Sequence, residues 1–209
     1  MKKILIIGGA GYIGTVLTDH LLNAGNHVRS LDLFLYKNNL CVLPYLGREG
    51  YESMYGDLCD PEDMQRALDG ITDVILLAGL VGDPITKKYP KSSQMINLDG
   101  ILQVIRSLNG RGLNRVIFIS TCSNYGLLEP DAIADESFEL NPLSLYAKAK
   151  VVVEEELLAL RGQVDFHAII LRFATAFGAS NRMRLDLLIN DFVYQAVKNK
   201  NITVYEKSF

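Results

Sequence analysis

Short continuous apolar runs alternate with longer stretches in which apolar residues return at helical spacing, and this alternation persists along most of the chain. Strands are expected near residues 2–7, 27–32, 51–55, 73–77, 115–119 and 166–171, and helices near 12–24, 61–68, 92–109, 143–161 and 184–198. Runs such as Ile4-Leu5-Ile6-Ile7 have no polar face, as strands covered on both sides require. The pattern predicts an α/β fold, a doubly wound parallel sheet with helices on both faces. Asp60-Pro61, an N-cap followed by proline at the first helical position with Asp63 in the first turn, marks the clearest helix start. Residues 33–50 read as a long connection, and residues 202–205, Ile-Thr-Val-Tyr, as a further strand close to the final residue, Phe209. A strand that close to the end suggests an incomplete protein or a shortened one.

Composition narrows the class. With 209 residues, 49% hydrophobic and 22% charged, the chain can bury a substantial core in one domain or one and a fraction. A net charge of −3 and the absence of any lysine or arginine run argue against a nucleic-acid partner. Glycines and Asp19 interrupt the apolar stretch after Met1-Lys2-Lys3, so neither a signal peptide nor a membrane span is expected. Cys41, Cys59 and Cys122 are odd in number and lack metal-ligand spacing, which predicts no metal site and a reducing, cytoplasmic home. A small molecule is the expected partner.

The first candidate site follows the first strand. Gly8-Gly9-Ala10-Gly11-Tyr12-Ile13-Gly14 reads as a strand, a glycine turn and a helix start, the cradle of a dinucleotide. Such a helix start presents free N–H groups to a pyrophosphate. Asp32, 18 positions beyond Gly14, closes the second strand. A carboxylate there accepts hydrogen bonds from both hydroxyls of an adenosine ribose and repels a 2′-phosphate, so NAD is expected rather than NADP.

A second candidate lies downstream. Tyr146 and Lys150 are four apart in a helical segment and share a face, whereas Lys148 points elsewhere. An ammonium beside a phenol should stabilise the phenolate and lower its pKa towards neutrality, giving an acid/base. The expected strand at 115–119 runs into Ser120-Thr121-Cys122-Ser123-Asn124-Tyr125-Gly126, which places hydroxyls at a strand's carboxyl end, where ligands bind in open α/β sheets.

Taken together, Gly8-x-x-Gly11-x-x-Gly14, Asp32, Gly56-Asp57-Leu58, Leu77-Ala78-Gly79, Asn97, Ser120-Thr121 to Tyr125-Gly126, Tyr146-x-x-x-Lys150 and Leu171-Arg172-Phe173 leading to Phe177-Gly178 resemble the extended short-chain dehydrogenase/reductases, specifically the NAD-dependent nucleotide-sugar epimerases and dehydratases. The resemblance covers essentially the whole chain and implies a Rossmann-like fold. It implies cofactor contacts from Gly8, Gly11, Tyr12, Ile13, Gly14 and Asp32, with Asp57 and Leu58 against the adenine and Ala78 and Gly79 along the cofactor. Asn97 would support the active-site helix and belong to the cofactor set. Thr121 would bind the reacting sugar oxygen, Tyr146 would be the acid/base, and Lys150 would hold the nicotinamide ribose.

Dehydratases of this kind carry an acidic residue just after the catalytic Thr, where this chain has Cys122 and Ser123. A 4-epimerase is therefore expected ahead of a dehydratase, with a keto-sugar reductase as the near alternative. Cys122 reads first as a small buried packing residue, with the proton-transfer group that some members of the resembled family place there as the alternative, and Ser123 as a substrate contact. Arg182 and Arg184 would either grip the diphosphate of a nucleotide-sugar substrate or be solvated charges at a helix start. Val81-Gly82-Asp83-Pro84 would border the sugar pocket. The expected division is a dinucleotide-binding domain at 1–178 and the start of an incomplete substrate-binding region at 179–209. Much of the substrate pocket would then be absent, and a chain of this length is expected to be inactive alone. A non-catalytic dinucleotide sensor or scaffold is the rival reading, although it has no need of a Thr–Tyr–Lys set. A dehydrogenase of a small non-sugar carbonyl also stays open. The segments 92–109 and 143–161 would form a homodimer interface of the resembled kind, or simply face the core.

Overall fold

The computed structural model describes residues 1–129 and 131–204. Six strands, β1 (Lys3–Ile7), β2 (His27–Asp32), β3 (Tyr51–Tyr55), β4 (Asp73–Leu76), β5 (Arg115–Thr121) and β6 (His167–Phe173), form one parallel sheet in the order β3-β2-β1-β4-β5-β6. The order reverses between β1 and β4, and a crevice opens there at the carboxyl ends of the strands.

Helices α1 (Tyr12–Asn23), α2 (Pro61–Leu68), α3 (Asp83–Lys88), α4 (Pro90–Gln94), α5 (Ile101–Leu108), α6 (Leu145–Ala159) and α7 (Leu188–Asn199) make the connections. On one face of the sheet, Leu5, Ile7, Val74, Leu76, Val116 and Phe118 pack against Met64 and Leu68 of α2, Ile101, Val104, Ile105 and Leu108 of α5, and Val153 and Leu157 of α6. On the other, Ile4, Ile6, Val28 and Ile75 meet Leu22 of α1 together with Val42 and Tyr45. Adjacent strand residues thus serve opposite cores, which is why the strands read as unbroken apolar runs. Asp60 accepts from the Glu62 amide at 2.8 Å and caps α2. At the other end of α2, buried Arg29 of β2 donates to the carbonyls of Ala67 (2.8 Å) and Asp69 (2.9 Å) and pairs with Glu52 at 2.7 Å.

Four sequence expectations change. The helix expected over 92–109 starts at Pro90 and passes through a π-helical stretch, Met95–Gly100, between α4 and α5. Gly100 permits this, because a Cβ there would lie 2.6 Å from both Cys59 Sγ and a Leu58 methyl. The long connection contains a 3-10 helix, Asn39–Tyr45, tied down by Tyr45 Oη donating to the Thr15 carbonyl at 2.8 Å. Helix α7 begins at Leu188 rather than 184, because Arg184 and Asp186 form a local ion pair ahead of it. Residues 202–204 form no strand, and Tyr205 lies outside the described residues. Strand β6 has a neighbour, β5, on one side only among the described residues, and Ile169, Leu171 and Phe173 are partly exposed.

Candidate active site

One cavity of about 930 Å³ runs along the crevice, large enough for an extended cofactor. Its floor begins at the glycine turn. Gly8 adopts φ +91°, and a Cβ there would lie 2.7 Å from the Ala78 nitrogen. A Cβ on Gly14 would lie 2.5 Å from the Gly8 carbonyl oxygen and 2.7 Å from that of Gly9. Glycine at these two positions lets α1 and the 77–79 loop close onto the end of β1. No side chain caps α1 at Gly11, so its first amides remain available to an anion.

Asp32 stands at the tip of β2. Its Oδ2 accepts from the Ala10 amide at 3.0 Å and its Oδ1 from the Phe34 amide at 2.8 Å. Burial pushes its pKa up, against the pull of those amides, Asn38 and Arg182. Each oxygen keeps a lone pair for a further donor. Leu33, Leu35, Tyr36 and Asn38 of the long connection border the cavity beside it. Asp57 and Leu58 line the wall after β3, with the Asp57 amide donating to Asp63 at 2.8 Å. The Leu77 and Ala78 amides both donate to the Ile7 carbonyl, at 2.9 and 2.8 Å, which aims Ala78 and Gly79 at the glycine turn.

Asn97 does not line the cavity, contrary to its expected place among the cofactor contacts. Buried on the π-helical stretch, it clamps the backbone behind the wall: the Leu80 amide donates to its Oδ1 at 2.7 Å, and its Nδ2 donates to the Leu80 carbonyl at 2.9 Å. Val81, Gly82 and Pro84 do border the cavity.

At the far end, β5 delivers Thr121 into a 3-10 turn, Cys122–Tyr125, with Thr121 Oγ1 accepting from the Ser123 amide at 3.2 Å. Thr121, Cys122 and Ser123 all line the cavity, and Cys122 is exposed rather than the buried packing residue its size suggests. Tyr146 and Lys150 face them from α6. Lys150 is 5% exposed, and its ammonium donates to the Ile119 carbonyl at 2.7 Å and lies 4.4 Å from the Phe118 ring centroid and 5.7 Å from that of Tyr146. Burial lowers its pKa to about 8, against a raising influence from Glu154. The expected lowering of the Tyr146 pKa is not found. Burial pushes the phenol up to about 12, Cys122 adds to that, and Arg184 opposes it. The physical reason is that desolvation of the phenolate outweighs the cations present, with the Lys150 ammonium committed to Ile119.

Residues 173–187 roof the cavity. Tyr12 Oη donates to the Gly178 carbonyl at 2.6 Å and accepts from Asn190 Nδ2 at 3.0 Å, while Asn190 Oδ1 accepts from the Gly178 amide at 2.9 Å. Ser180 Oγ bonds the Tyr12 carbonyl at 2.7 Å, and Asn181 donates to Tyr45 Oη at 2.7 Å. Arg182 and Arg184 both line the cavity. Arg182 sits 5.5 Å from the Tyr36 ring centroid, and Arg184 donates to Asp186 at 2.8 Å.

Sequence reasoning missed a buried polar cluster behind Thr121 and Lys150. The Glu154 carboxylate accepts from Ser120 Oγ, from Asn124 Nδ2 at 2.8 Å, and from Arg172 Nε at 3.0 Å and Nη2 at 2.7 Å. Arg172 Nη1 also donates to Tyr125 Oη at 3.1 Å. The available signal was a glutamate four residues past Lys150 on the same face of α6, with a lone arginine in the apolar run of β6.

A doubly wound parallel sheet with a glycine turn, an acidic β2 tip and a hydroxyl-rich β5 end on one crevice defines a class of α/β ligand-binding domain. Residues 4–208 match the family model described as the NAD dependent epimerase/dehydratase family, and the chain belongs to that family. It is 27% identical over 208 residues to UDP-glucuronic acid decarboxylase 1 of Xenopus tropicalis, covering 98% of this chain and 48% of that protein. It is 29% identical over 190 residues to UDP-glucose 4-epimerase of Streptomyces lividans, covering 88% and 55%. Among solved structures, the UDP-glucuronic acid 4-epimerase from Bacillus cereus in complex with UDP-glucuronic acid and NAD superposes with a TM-score of 0.86 at 25% identity, over 98% of this chain and 66% of that one. The chain spans about half the length of the curated relatives it matches.

Proposed function

We propose that this chain carries the cofactor site and reacting set of an NAD-dependent nucleotide-sugar epimerase. The observation that carries the reading is a single cavity joining the glycine turn and Asp32 to Thr121, Tyr146 and Lys150. The residues fit NAD: a Cβ would fill the cradle at Gly8 and Gly14, α1 has an uncapped N-terminus, and Asp32 has acceptor capacity left for two ribose hydroxyls. The relatives named above act on UDP sugars, and the Bacillus cereus enzyme holds NAD beside one.

In this reading Gly8, Gly11, Tyr12, Ile13 and Gly14 hold the pyrophosphate and Asp32 the adenosine ribose. Asp57 and Leu58 flank the adenine, Ala78 and Gly79 support the middle of the cofactor, and Asn97 fixes that loop from behind. Lys150 holds the nicotinamide ribose. When bound, NAD supplies the acceptor and later donor of a hydride. Tyr146 acts in its phenolate form, which Arg184 and Lys150 would stabilise: it takes the proton of the reacting sugar hydroxyl, which Thr121 fixes by a hydrogen bond, and is left as a neutral phenol. Ser123, Arg182 and Arg184 face the nucleotide-sugar diphosphate. Cys122 and Ser123 give no carboxylic acid beside Thr121, which favours epimerisation or keto-sugar reduction over elimination of water. Residues 1–178 form the dinucleotide-binding part and 179–209 begin the substrate-binding region, with 173–187 roofing the cavity between them. Exposed Met95 on the π-helical stretch and exposed Leu145 and Val152 on α6 support a homodimer through these helices. The three free cysteines fit a reducing cytoplasm.

Titration with NAD and NADP, followed by addition of UDP sugars, tests the reading. NAD should bind at least about a hundredfold more tightly than NADP, because a 2′-phosphate against Asp32 costs several kcal/mol. The Tyr146→Phe variant should keep NAD and lose the cofactor reduction that UDP sugars elicit. Failure of the folded chain to hold either dinucleotide, or unimpaired reduction in Tyr146→Phe, overturns the proposal.

A further inference from the structure

Tyr146, Lys150 and Glu154 occupy one face of α6 at successive turns, and Glu154 is only 1% exposed. Its carboxylate reaches two elements besides its own. Ser120 and Asn124, which flank the Thr121-Cys122-Ser123 segment on either side, both donate to Glu154 Oε1. Asn124 Nδ2 also donates to Ser120 Oγ at 3.0 Å, which closes the cluster. Arg172 of β6 takes the other carboxylate oxygen in a forked pair, and its own further donor goes to Tyr125 at the end of the same turn. One buried anion thus fixes both ends of the turn that presents Thr121 and Ser123, and its residue stands one helical turn along α6 from Lys150.

We propose, resting on the assignment of Thr121, Tyr146 and Lys150 as the reacting set, that Glu154 is a positioning residue: it registers the Thr121 turn against α6 and is the buried counter-charge of Lys150. Other charges do not substitute for it. Arg172 is of the same sign as Lys150 and is already paired. Lys87 and Lys88 of α3 and Asp99 of the π-helical stretch are exposed, and Arg106 of α5 is paired with Glu156 at 2.9 Å. Cys122 of the turn and Arg184 of the roof line the same cavity as the reacting set. Both act on Tyr146. A buried ammonium without a carboxylate nearby gives up its proton. Loss of the Glu154 charge should therefore leave Lys150 neutral in more of the protein at neutral pH. An uncharged Lys150 grips a ribose hydroxyl less firmly and offers nothing to a phenolate.

The test separates charge from scaffolding. Melting temperatures of the parent and of Glu154→Gln are each compared with their Lys150→Met counterparts from mildly acidic to strongly alkaline pH. The Lys150-dependent change in stability should move to lower pH by about one to two units in Glu154→Gln, as expected for one charge removed at i,i+4 spacing. NAD affinity should fall more on the alkaline side of neutrality than on the acid side, by about tenfold for each unit of that shift. Glu154→Asp, which keeps the charge with a shorter reach, should restore the pH profile in large part. If Glu154→Gln does not fold, Glu154→Gln/Arg172→Met removes both members of that ion pair together, leaves Lys150 without its counter-charge, and should move the profile in the same direction. An unmoved stability profile, or an NAD affinity reduced by the same factor at every pH, overturns the proposal. The stability measurement needs neither cofactor nor turnover, so its outcome stands even if the parent proves not to bind NAD.

Discussion

Replacing Lys150 with Met should make this protein more stable, although the lysine belongs to the proposed reacting set. Burial moves its pKa from 10.5 to about 8, a displacement worth about 3 kcal/mol against the charged form. The methionine gives up the hydrogen bond to the Ile119 carbonyl, worth about 1 kcal/mol net. A gain of roughly 2 kcal/mol remains below pH 8, or about 4–8 °C in melting temperature for a chain of this size. The sign changes with pH in a defined way. Because the folded-state pKa lies below the unfolded one, the folded protein binds fewer protons between about pH 8 and pH 10.5, and the parent gains stability as pH rises through that window. Lys150→Met lacks this titration, so its advantage is full below pH 8 and gone by about pH 10.5. Thermal melts of both proteins across this range provide the assay. A variant less stable than the parent at neutral pH, or a difference that does not change with pH, would refute the account of Lys150 as a charge held at a cost.

Other expectations follow from geometry. Gly14→Ala drives a methyl to within 2.5 Å of the Gly8 carbonyl oxygen. It should cost more than about 2 kcal/mol by urea denaturation. Gly25→Ala, at φ +77° with open space around it, pays backbone strain alone, about 1 kcal/mol. Equal losses would show that contact with the turn does not matter. Tyr12→Phe removes the hydroxyl between Gly178 and Asn190 and should cost about 1–2 kcal/mol. It should speed hydrogen exchange of the amides at 178–187 more than elsewhere, and uniform exchange would contradict the role of Tyr12 as the tether of the roof.

Local patterns in the sequence located the glycine turn, Asp32, the Asp60 cap and the Tyr146–Lys150 pair, because each is written within one element or across one loop. The strands were legible because a parallel sheet covered on both faces leaves no polar alternation to obscure them. What escaped was set by contacts between distant elements. Glu154 and Arg172 lie on a helix and a strand, and neither residue alone distinguishes a surface charge from a buried pair. The resemblance places Asn97 among the cofactor contacts, while its position on a helix leaves open which way its side chain turns. Its side chain instead turns behind the wall to satisfy the Leu80 backbone. The Tyr146 pKa escaped for a different reason: spacing reports which groups are neighbours, while burial sets the cost of the phenolate.

The roof over the cavity has a consequence for the order in which the protein is made. Tyr12 lies in the first helix, yet among the described residues its hydroxyl bonds Gly178 and Asn190, 166 and 178 positions later. The first βα unit can fold early during synthesis, but the cavity it begins is finished only when the roof arrives. A ligand that needs both walls cannot stabilise the nascent chain before then. Through most of its synthesis the chain relies on its two apolar cores alone, and cofactor supply should influence the release and survival of finished molecules rather than the folding of the first strands.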